Sequence, residues 1–321
     1  MRILTLIPGG ISDQILFFPT LKTLKEEYPE AIIDVIVEPR SKNTYRVCKF
    51  VNEVLMFDFQ DNNGLADYLN LLGIIRDREY ELVITGEKNW IVSFLLWLDG
   101  IPTRIGYKTK NSWFLSNVVE QKTEQYTVSM YHDLLKALNI HSSAPELSIN
   151  VPKEDIDWAE SEQKRLNIKN TGYILIHGGA SPLTASQGIY KIYPVPQWQR
   201  IIEDIQKKQP NLPVVLLCGP DDLKWTTEVL NLCPTVKVVS PPDIGKLAGI
   251  IAGANLMLCT DSAPMQLAVA VGTYTIALFG PTKAKKLLPP NSDRYIGIQS
   301  LSDQIADIPT DKILEQIWKN N

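Results

Sequence analysis

The chain has 321 residues, 45% hydrophobic and 21% charged, the composition of an ordinary folded protein and not of a disordered or fibrous one. Its formal net charge of -4 argues against a dedicated nucleic-acid binder, which carries a basic excess or a basic stripe. A chain this long ordinarily divides into two domains of roughly 150 residues each.

The N-terminus, MRILTLIPGG, has one charge and an apolar run too short for a signal-peptide core, and it reads as a first strand. A cytoplasmic location is therefore expected. Short β-branched runs then alternate with helical patterns: Ile3 to Ile7, Gln14 to Glu27, Ile32 to Val37, Val54 to Phe57, Leu65 to Arg76 and Leu82 to Ile84. That rhythm predicts βαβ units on a parallel sheet. The most apolar stretch, Trp90 to Leu98, is far shorter than the roughly 20 residues that span a bilayer. Together with Trp113 and Phe114 it could touch lipid, but a single apolar run without a basic flank reads first as a buried helix.

From His141 to Asp155 the sequence HSSAPELSINVPKED lacks helical periodicity, and the interdomain connection is placed there. The expected domains are residues 1–150 and 151–321. The pattern then restarts with strands at Tyr173 to His177, Val214 to Cys218, Val236 to Val239, Leu256 to Cys259 and Tyr274 to Phe279. Helices alternate with them near Gln197 to Lys207, Asp222 to Leu232, Ile244 to Ala252 and Pro264 to Val271. A last helix near Lys312 to Lys319 is a candidate to pack back on the N-terminal half. The fold class is thus α/β, with two successive doubly wound, Rossmann-like domains.

The four cysteines, Cys48, Cys218, Cys233 and Cys259, form no CxxC pair and read as buried free thiols. With only His132, His141 and His177, and no HExxH spacing, the sequence offers no metal site.

Ligands of doubly wound sheets sit at the carboxyl ends of the strands, so the loops after Ile7, His177, Cys218, Cys259 and Phe279 carry the chemistry. The first strand ends in PGGISDQ, which lacks the GxGxxG spacing of a dinucleotide fingerprint. Asp13 there is either a general base toward a hydroxyl or, like Ser12, a cap of the following helix. After Ile176 comes HGGASPLTASQGIYKIYPVPQW. Its glycines, Gly179 among them, let the backbone approach an anion; Ser181, Thr184 and Ser186 offer hydroxyls, and Lys191 a point charge. Solvated Lys191 and half-buried His177 are the plain alternatives. In CTDSAPMQLAVAVGTYTIALFGPT a strand meets a tight turn and an Ala-rich helix. Amides near Ala263, Pro264, Met265 and Gln266 would then form a phosphate-binding helix N-terminus, with Ser262 adding a hydroxyl. Asp261 is either a ligand there or the helix cap.

These segments resemble glycosyltransferase family 9, the ADP-heptose:lipopolysaccharide heptosyltransferases and their relatives, from the first strand to about Pro290. SDQILFFPTLKTL, with Asp13, Pro19 and Leu21, is similar to the family's GD turn and PxLxxL helix, and Arg104, Gly106 and His132 to its RxG and later histidine. HGGAS, KIYPVPQW, DSAPMQLA and ALFGPT are similar to its HPGAS, KxWPxExW, D[ST]GPMHLA and ALFGPT. The chain departs from that pattern at Gly178, Ala263 and Gln266, where the family has Pro, Gly and His.

The resemblance implies a GT-B architecture, two Rossmann-like domains facing across a cleft, the first binding acceptor and the second the nucleotide-sugar. It implies inverting, metal-independent transfer with no cofactor, from an ADP-sugar by preference. Asp13 would be the base and Lys191 would lie near the donor phosphates. His177, Gly179, Ser181, Gly219 and the loop from Asp261 to Gln266 would surround the donor. Gly10, Ser12, Arg40 and Arg104 would meet a lipopolysaccharide-type or other saccharide or glycolipid acceptor, which implies peripheral contact with the cytoplasmic face of the inner membrane. Two other readings fit the same architecture: a degenerate sugar-nucleotide-binding protein without turnover, and a nucleotide-sugar epimerase.

Overall fold

Strands that lie inside a parallel sheet are covered by helices on both faces and so read as continuous apolar runs. Leu4 to Leu6, Ile33 to Val37 and Leu82 to Thr85 are buried residue after residue, and the same holds for Ile174 to His177, Val214 to Leu217, Leu256 to Thr260 and Thr275 to Phe279. The computed structural model describes residues 1–58, 63–179 and 191–319.

The chain forms two compact units, Met1–Asn150 and Val151–Asn321. The first runs β1 (Arg2–Leu6), α1 (Ile11–Glu27), β2 (Ile32–Val37), β3 (Glu53–Met56), α2 (Leu65–Arg76), β4 (Leu82–Thr85), α3 (Trp90–Leu98), β5 (Thr103–Tyr107), β6 (Asn117–Val119) and α4 (Thr127–His132). Its six strands pair in parallel in the order β3-β2-β1-β4-β5-β6, so the order reverses at β1, where ligands of such sheets bind. A core of Leu4, Leu6, Ile36, Val83, Val92 and Leu96 lies under α2 and α3.

The second unit runs α5 (Lys153–Arg165), β7 (Ile174–His177), α6 (Val195–Lys208), β8 (Val214–Leu217), α7 (Leu223–Leu232), β9 (Lys237–Val239), α8 (Ile244–Ala252), β10 (Leu256–Thr260), α9 (Ala263–Val271), β11 (Thr275–Phe279), α10 (Ala284–Leu287), β12 (Tyr295–Gln299) and α11 (Thr310–Trp318). Its order, β12-β11-β10-β7-β8-β9, puts the switch point at β7 and β10. Helix α6 shows why these segments are helices: Trp198, Ile201, Ile202 and Ile205, at one-turn spacing, are buried, while Lys207 and Lys208 end it.

Three strands, β5, β6 and β12, fall outside the elements expected from sequence. Each is short or polar at its ends and lies at or next to a sheet edge, where less burial is demanded. The last helix is tied within its own unit: Arg200 bonds Asp311 at 2.6 Å, and the indole N–H of Trp318 donates to Asp204 at 2.7 Å. The four cysteines are buried and free, and burial pushes the Cys48 thiol up to about 12. No helix among the described residues is long and apolar enough to cross a membrane.

Candidate active site

In the N-terminal unit the turn after β1 builds around two glycines and one acid. Gly9 has φ +110°, and a Cβ there would lie 2.3 Å from Oδ2 of Asp13, so only glycine fits. Gly10 is the N-cap of α1 and has no side chain to offer the first-turn amides. Asp13, three residues in, reaches back instead, and its Oδ2 accepts from the Gly10 amide at 3.1 Å, the acidic half of a capping box. Asp13 thus does cap α1, as the capping alternative has it, but from inside the first turn and not as the N-cap, and Ser12 is a half-buried residue of that turn.

The second carboxylate oxygen of Asp13 accepts from the hydroxyl of Tyr131, on α4, at 3.3 Å. Burial, and then the charge of Asp13, hold the Tyr131 pKa well above its ordinary value, so it stays a proton donor. Buried Gln14 fixes the turn from below. Its amide nitrogen donates to the carbonyls of Ile7 and Gly9, at 2.9 and 3.3 Å, and its oxygen accepts from Tyr45 at 2.8 Å. The result is a partly exposed carboxylate held at both oxygens on the switch-point edge of the sheet.

The basic residues expected to meet an acidic acceptor are occupied otherwise. Arg40 pairs with Glu38 through Nε at 2.6 Å. The guanidinium of Arg104, on β5, donates to the carbonyls of Ile101, Pro102 and Phe114 and so ties the segment before β5 to the loop after it. His132 is buried against the hydroxyl of Thr23 at 2.9 Å, and burial lowers its pKa, so it is a neutral packing residue.

In the C-terminal unit the carboxyl ends of β7, β8 and β10 converge. His177 ends β7, and its Nε2 lies 3.1 Å from Oδ2 of Asp222, while its Nδ1 lies 3.2 Å from the hydroxyl of Ser262. The single Ser262 proton has two acceptors, Nδ1 and the Thr260 carbonyl at 3.1 Å. In both cases Nε2 donates to Asp222. Burial alone would raise the Asp222 pKa, but the hydrogen bond and charge of His177 and the Gly219 amide, at 2.8 Å, bring it below its ordinary value. A Cβ on Gly179 would lie 1.6 Å from this carboxylate, which makes glycine obligatory there.

Lys191 donates to Oδ2 of Asp261 at 2.5 Å, with the two side chains only 15% and 7% exposed. Lys191 is therefore not a solvated loop residue, and Asp261 is not the helix cap. The N-cap of α9 is Ser262, whose hydroxyl turns away from the helix toward His177. The expected phosphate cradle of four residues is smaller than the sequence reading. Pro264 has no N–H, and the amides of Met265 and Gln266 bond the Ser262 carbonyl at 3.1 and 3.4 Å. Ala263 is left as the first-turn amide with no helical carbonyl behind it. Met265 and Gln266 are wholly buried, and Gln266 donates to the Leu287 carbonyl at 2.9 Å, so neither side chain lines a donor surface. Ser181, with Thr184 and Ser186, lies outside the described residues.

The ALFGPT turn after β11 is held by a residue that sequence reasoning missed. The amide nitrogen of Gln299 donates to the carbonyls of Phe279, Gly280 and Thr282, and its oxygen accepts from the Ala284 amide at 3.0 Å. Tyr131, Gln14, Tyr45 and Asp222 were also missed. Only Asp222, just after a Gly-Pro turn at a strand end, carried a local signal.

Residues 69–316 match the profile of glycosyltransferase family 9 (heptosyltransferase). The chain belongs to that family. Lipopolysaccharide heptosyltransferase 3 of Escherichia coli (strain K12) is 26% identical over 288 residues, covering 84% of this chain and 80% of that protein. The photosynthetic NDH subunit of subcomplex B 1, chloroplastic, of Arabidopsis thaliana is 23% identical over 331 residues, covering 96% of this chain and 71% of that protein. The structure of E. coli ADP-heptose lps heptosyltransferase II superposes with a TM-score of 0.79 at 18% identity, covering 99% of this chain and 97% of that one. The fold is the α/β GT-B fold, and family membership makes the chain a glycosyltransferase.

Within family 9 the departure at Gly178 has a structural reason. A Cβ at Gly178 would lie 2.4 Å from the Trp225 ring and 2.7 Å from the Trp198 indole nitrogen, so the family's proline has no room beside these tryptophans. Gln266 supplies an N–H to Leu287, a donor that a histidine ring can also supply.

Proposed function

We propose that this glycosyltransferase moves heptose or a related sugar from an ADP-sugar to a saccharide acceptor of the lipopolysaccharide type, by single displacement with inversion and without a metal. The observation that carries the reading is the Asp13 carboxylate, oriented through both oxygens by the Gly10 amide and the Tyr131 hydroxyl. Asp13 takes the proton of the acceptor hydroxyl as that oxygen attacks the anomeric carbon, and the sugar–phosphate bond breaks as the new glycosidic bond forms. One displacement step inverts the configuration.

Negative charge grows on the departing diphosphate. Lys191 and the Ala263 amide lie at the switch-point edge of the second sheet and supply positive potential there, the role a divalent cation has in other transferases. The Asp261 carboxylate holds the Lys191 ammonium in place until the diphosphate shares it. The names of the E. coli relatives support a heptose donor and a lipopolysaccharide acceptor. An inner-membrane, cytoplasmic-face location follows from such an acceptor.

The test is to incubate the chain with ADP-heptose and a panel of truncated lipopolysaccharide acceptors in the presence of EDTA, and to follow ADP release and product anomer by NMR. Inverted product with chelator present is expected. Retained configuration, or turnover only after metal is restored, would overturn the mechanism. A second reading, a sugar-nucleotide binder without turnover, is favoured by Ala263 and Gln266 at family Gly and His positions and by the kinship to an NDH subunit. Tight ADP-sugar binding with no ADP release on any acceptor would establish it.

A further inference from the structure

The expectation that Trp90 to Leu98 is a buried helix fails on one face. Helix α3, WIVSFLLWL, buries Val92, Ser93, Leu95 and Leu96 but leaves Trp90, Trp97 and Leu98 exposed by 46%, 48% and 44%. The loop after β5 comes to lie against it. Phe114 packs on Phe94 at 5.0 Å, on Trp97 at 5.6 Å and on Trp90 at 6.5 Å between ring centroids, and Trp113 beside it is 81% exposed. Arg104 holds this loop through the Phe114 carbonyl and the Ser116 hydroxyl, so the cluster is built and not a chance of loop position.

The charge around the cluster is opposite to that of the chain. Between Glu87 and Ser116 the basic residues Lys88, Arg104, Lys108 and Lys110 stand against two acids, Glu87 and Asp99, in a protein of formal net charge -4. Lys88, Lys108 and Lys110 are exposed and flank the cluster's residues in the chain, although Lys108 is paired with exposed Glu120 at 2.7 Å. Helix α3 itself carries no charge. An uncharged aromatic face flanked in the chain by exposed lysines is the pattern of a surface that enters the headgroup layer: indoles favour the interface, and ammonium groups reach lipid phosphates.

Its place in the sheet gives the pattern a purpose. Thr85, the last residue of β4, pairs with Leu6 of β1, and Thr85 also pairs with Gly106 of β5. The start of α3 and the start of the loop at Lys108 therefore leave the same carboxyl edge of the sheet as the turn that carries Asp13, and the face runs from there along β5 to its amino end, where Phe114 and Ser116 bond Arg104. We propose that the face formed by α3 and the loop Lys108 to Ser116 docks on an anionic lipid bilayer and presents the Asp13 edge to a lipid-borne acceptor. This rests on the glycolipid-acceptor reading above, and its lipid-binding half can be tested without any acceptor.

The experiment is co-sedimentation of the full chain with phosphatidylcholine vesicles with and without phosphatidylglycerol, together with tryptophan quenching by brominated acyl chains. Binding to the anionic vesicles, weakened by salt, is expected. Lys110→Ala should lower the partition coefficient about fivefold, the effect of one basic residue near such a surface, and Trp113→Ala about tenfold from lost apolar burial. Trp113 is so exposed that its replacement leaves the fold intact, and turnover on a water-soluble acceptor should be unchanged in that variant. Absence of binding to any vesicle, or equal binding by both variants, would overturn the proposal. So would self-association of the wild type that Trp113→Ala abolishes, since the face would then seat a second copy. Vesicle binding without transfer activity would leave this inference standing and remove the acceptor reading instead.

Discussion

Asp13 and Asp261 occupy what look like equivalent places, each in a turn between a central strand and a helix at the switch point of its own sheet. In the first unit the helix begins at a glycine, so the acid inside the first turn has to supply the cap, and its other oxygen is left for Tyr131. In the second unit the helix begins at Ser262, and the acid lies one residue before it, outside the reach of the first-turn amides, where it holds a lysine 70 positions away in the chain. A shift of a few residues relative to the N-cap therefore decides whether a carboxylate is bound by its own backbone or organises a distant cation. Asp99 is the converse case. It ends α3, where the helix dipole disfavours an anion, and one of its oxygens is buried without a partner among the described residues.

The largest effect separates capping from catalysis at Asp13. Asn can accept from the Gly10 amide as Asp does, so Asp13→Asn should keep its melting temperature and its ADP affinity. As a base it has no proton acceptor left, and turnover should fall about 10² to 10⁴-fold. Turnover close to wild type, measured on the same preparation, would reduce Asp13 to a capping residue.

Lys191→Ala should act twice, because it removes a donor contact and strands the Asp261 carboxylate. Loss of a hydrogen bond to a charged group lowers ADP affinity by about 1.5 to 3 kcal/mol. The unpaired, nearly buried acid costs about 3 kcal/mol of stability, the lower end for breaking a buried pair. In the double variant Lys191→Ala/Asp261→Asn, chemical denaturation should show stability regained while calorimetry shows affinity still lost. Regained affinity would mean that Asp261, and not Lys191, sets the interaction with the diphosphate.

For Asp99 the expectation is a pH slope. Burial pushes its pKa up to about 7, with Arg76 opposing, whereas the unfolded chain releases that proton near about 4. The folded state thus holds the extra proton between these values, and this group's contribution to stability falls as pH rises from about 4 to about 7. Urea midpoints of wild type and Asp99→Asn compared over that window should show the slope only in the wild type. Parallel curves would show that Asp99 ionises in the fold at its ordinary pH.

The smallest effect is expected at Gln266. Because its side chain points to the Leu287 carbonyl, Gln266→His should preserve that bond through a ring N–H and leave ADP-heptose turnover unchanged. A rise in turnover would show that this position does set donor choice, through a displacement of the ALFGPT turn.

Much of the architecture was legible because its causes are local. Apolar runs such as Leu82 to Thr85 and the one-turn spacing in Trp198 to Ile205 report burial on two faces or one, and Gly9, Gly10, Gly179 and Gly272 mark the turns they permit. The motifs from His177 to Lys191 and from Asp261 to Thr282 could be read for the same reason, since each is one strand end and its loop. The partners could not be read. Tyr131 meets Asp13 from 118 positions away, and His177 meets Asp222 and Ser262 from 45 and 85, because the order β10-β7-β8 brings those strand ends side by side. Whether Trp97 is core or surface was equally closed to the sequence, as periodicity records that a face is apolar but not whether anything covers it. Backbone preference and periodicity act over a few residues; the hydrogen-bond partner of a polar group, and the neighbour of an apolar one, are fixed only when the sheet order chooses which loops share an edge.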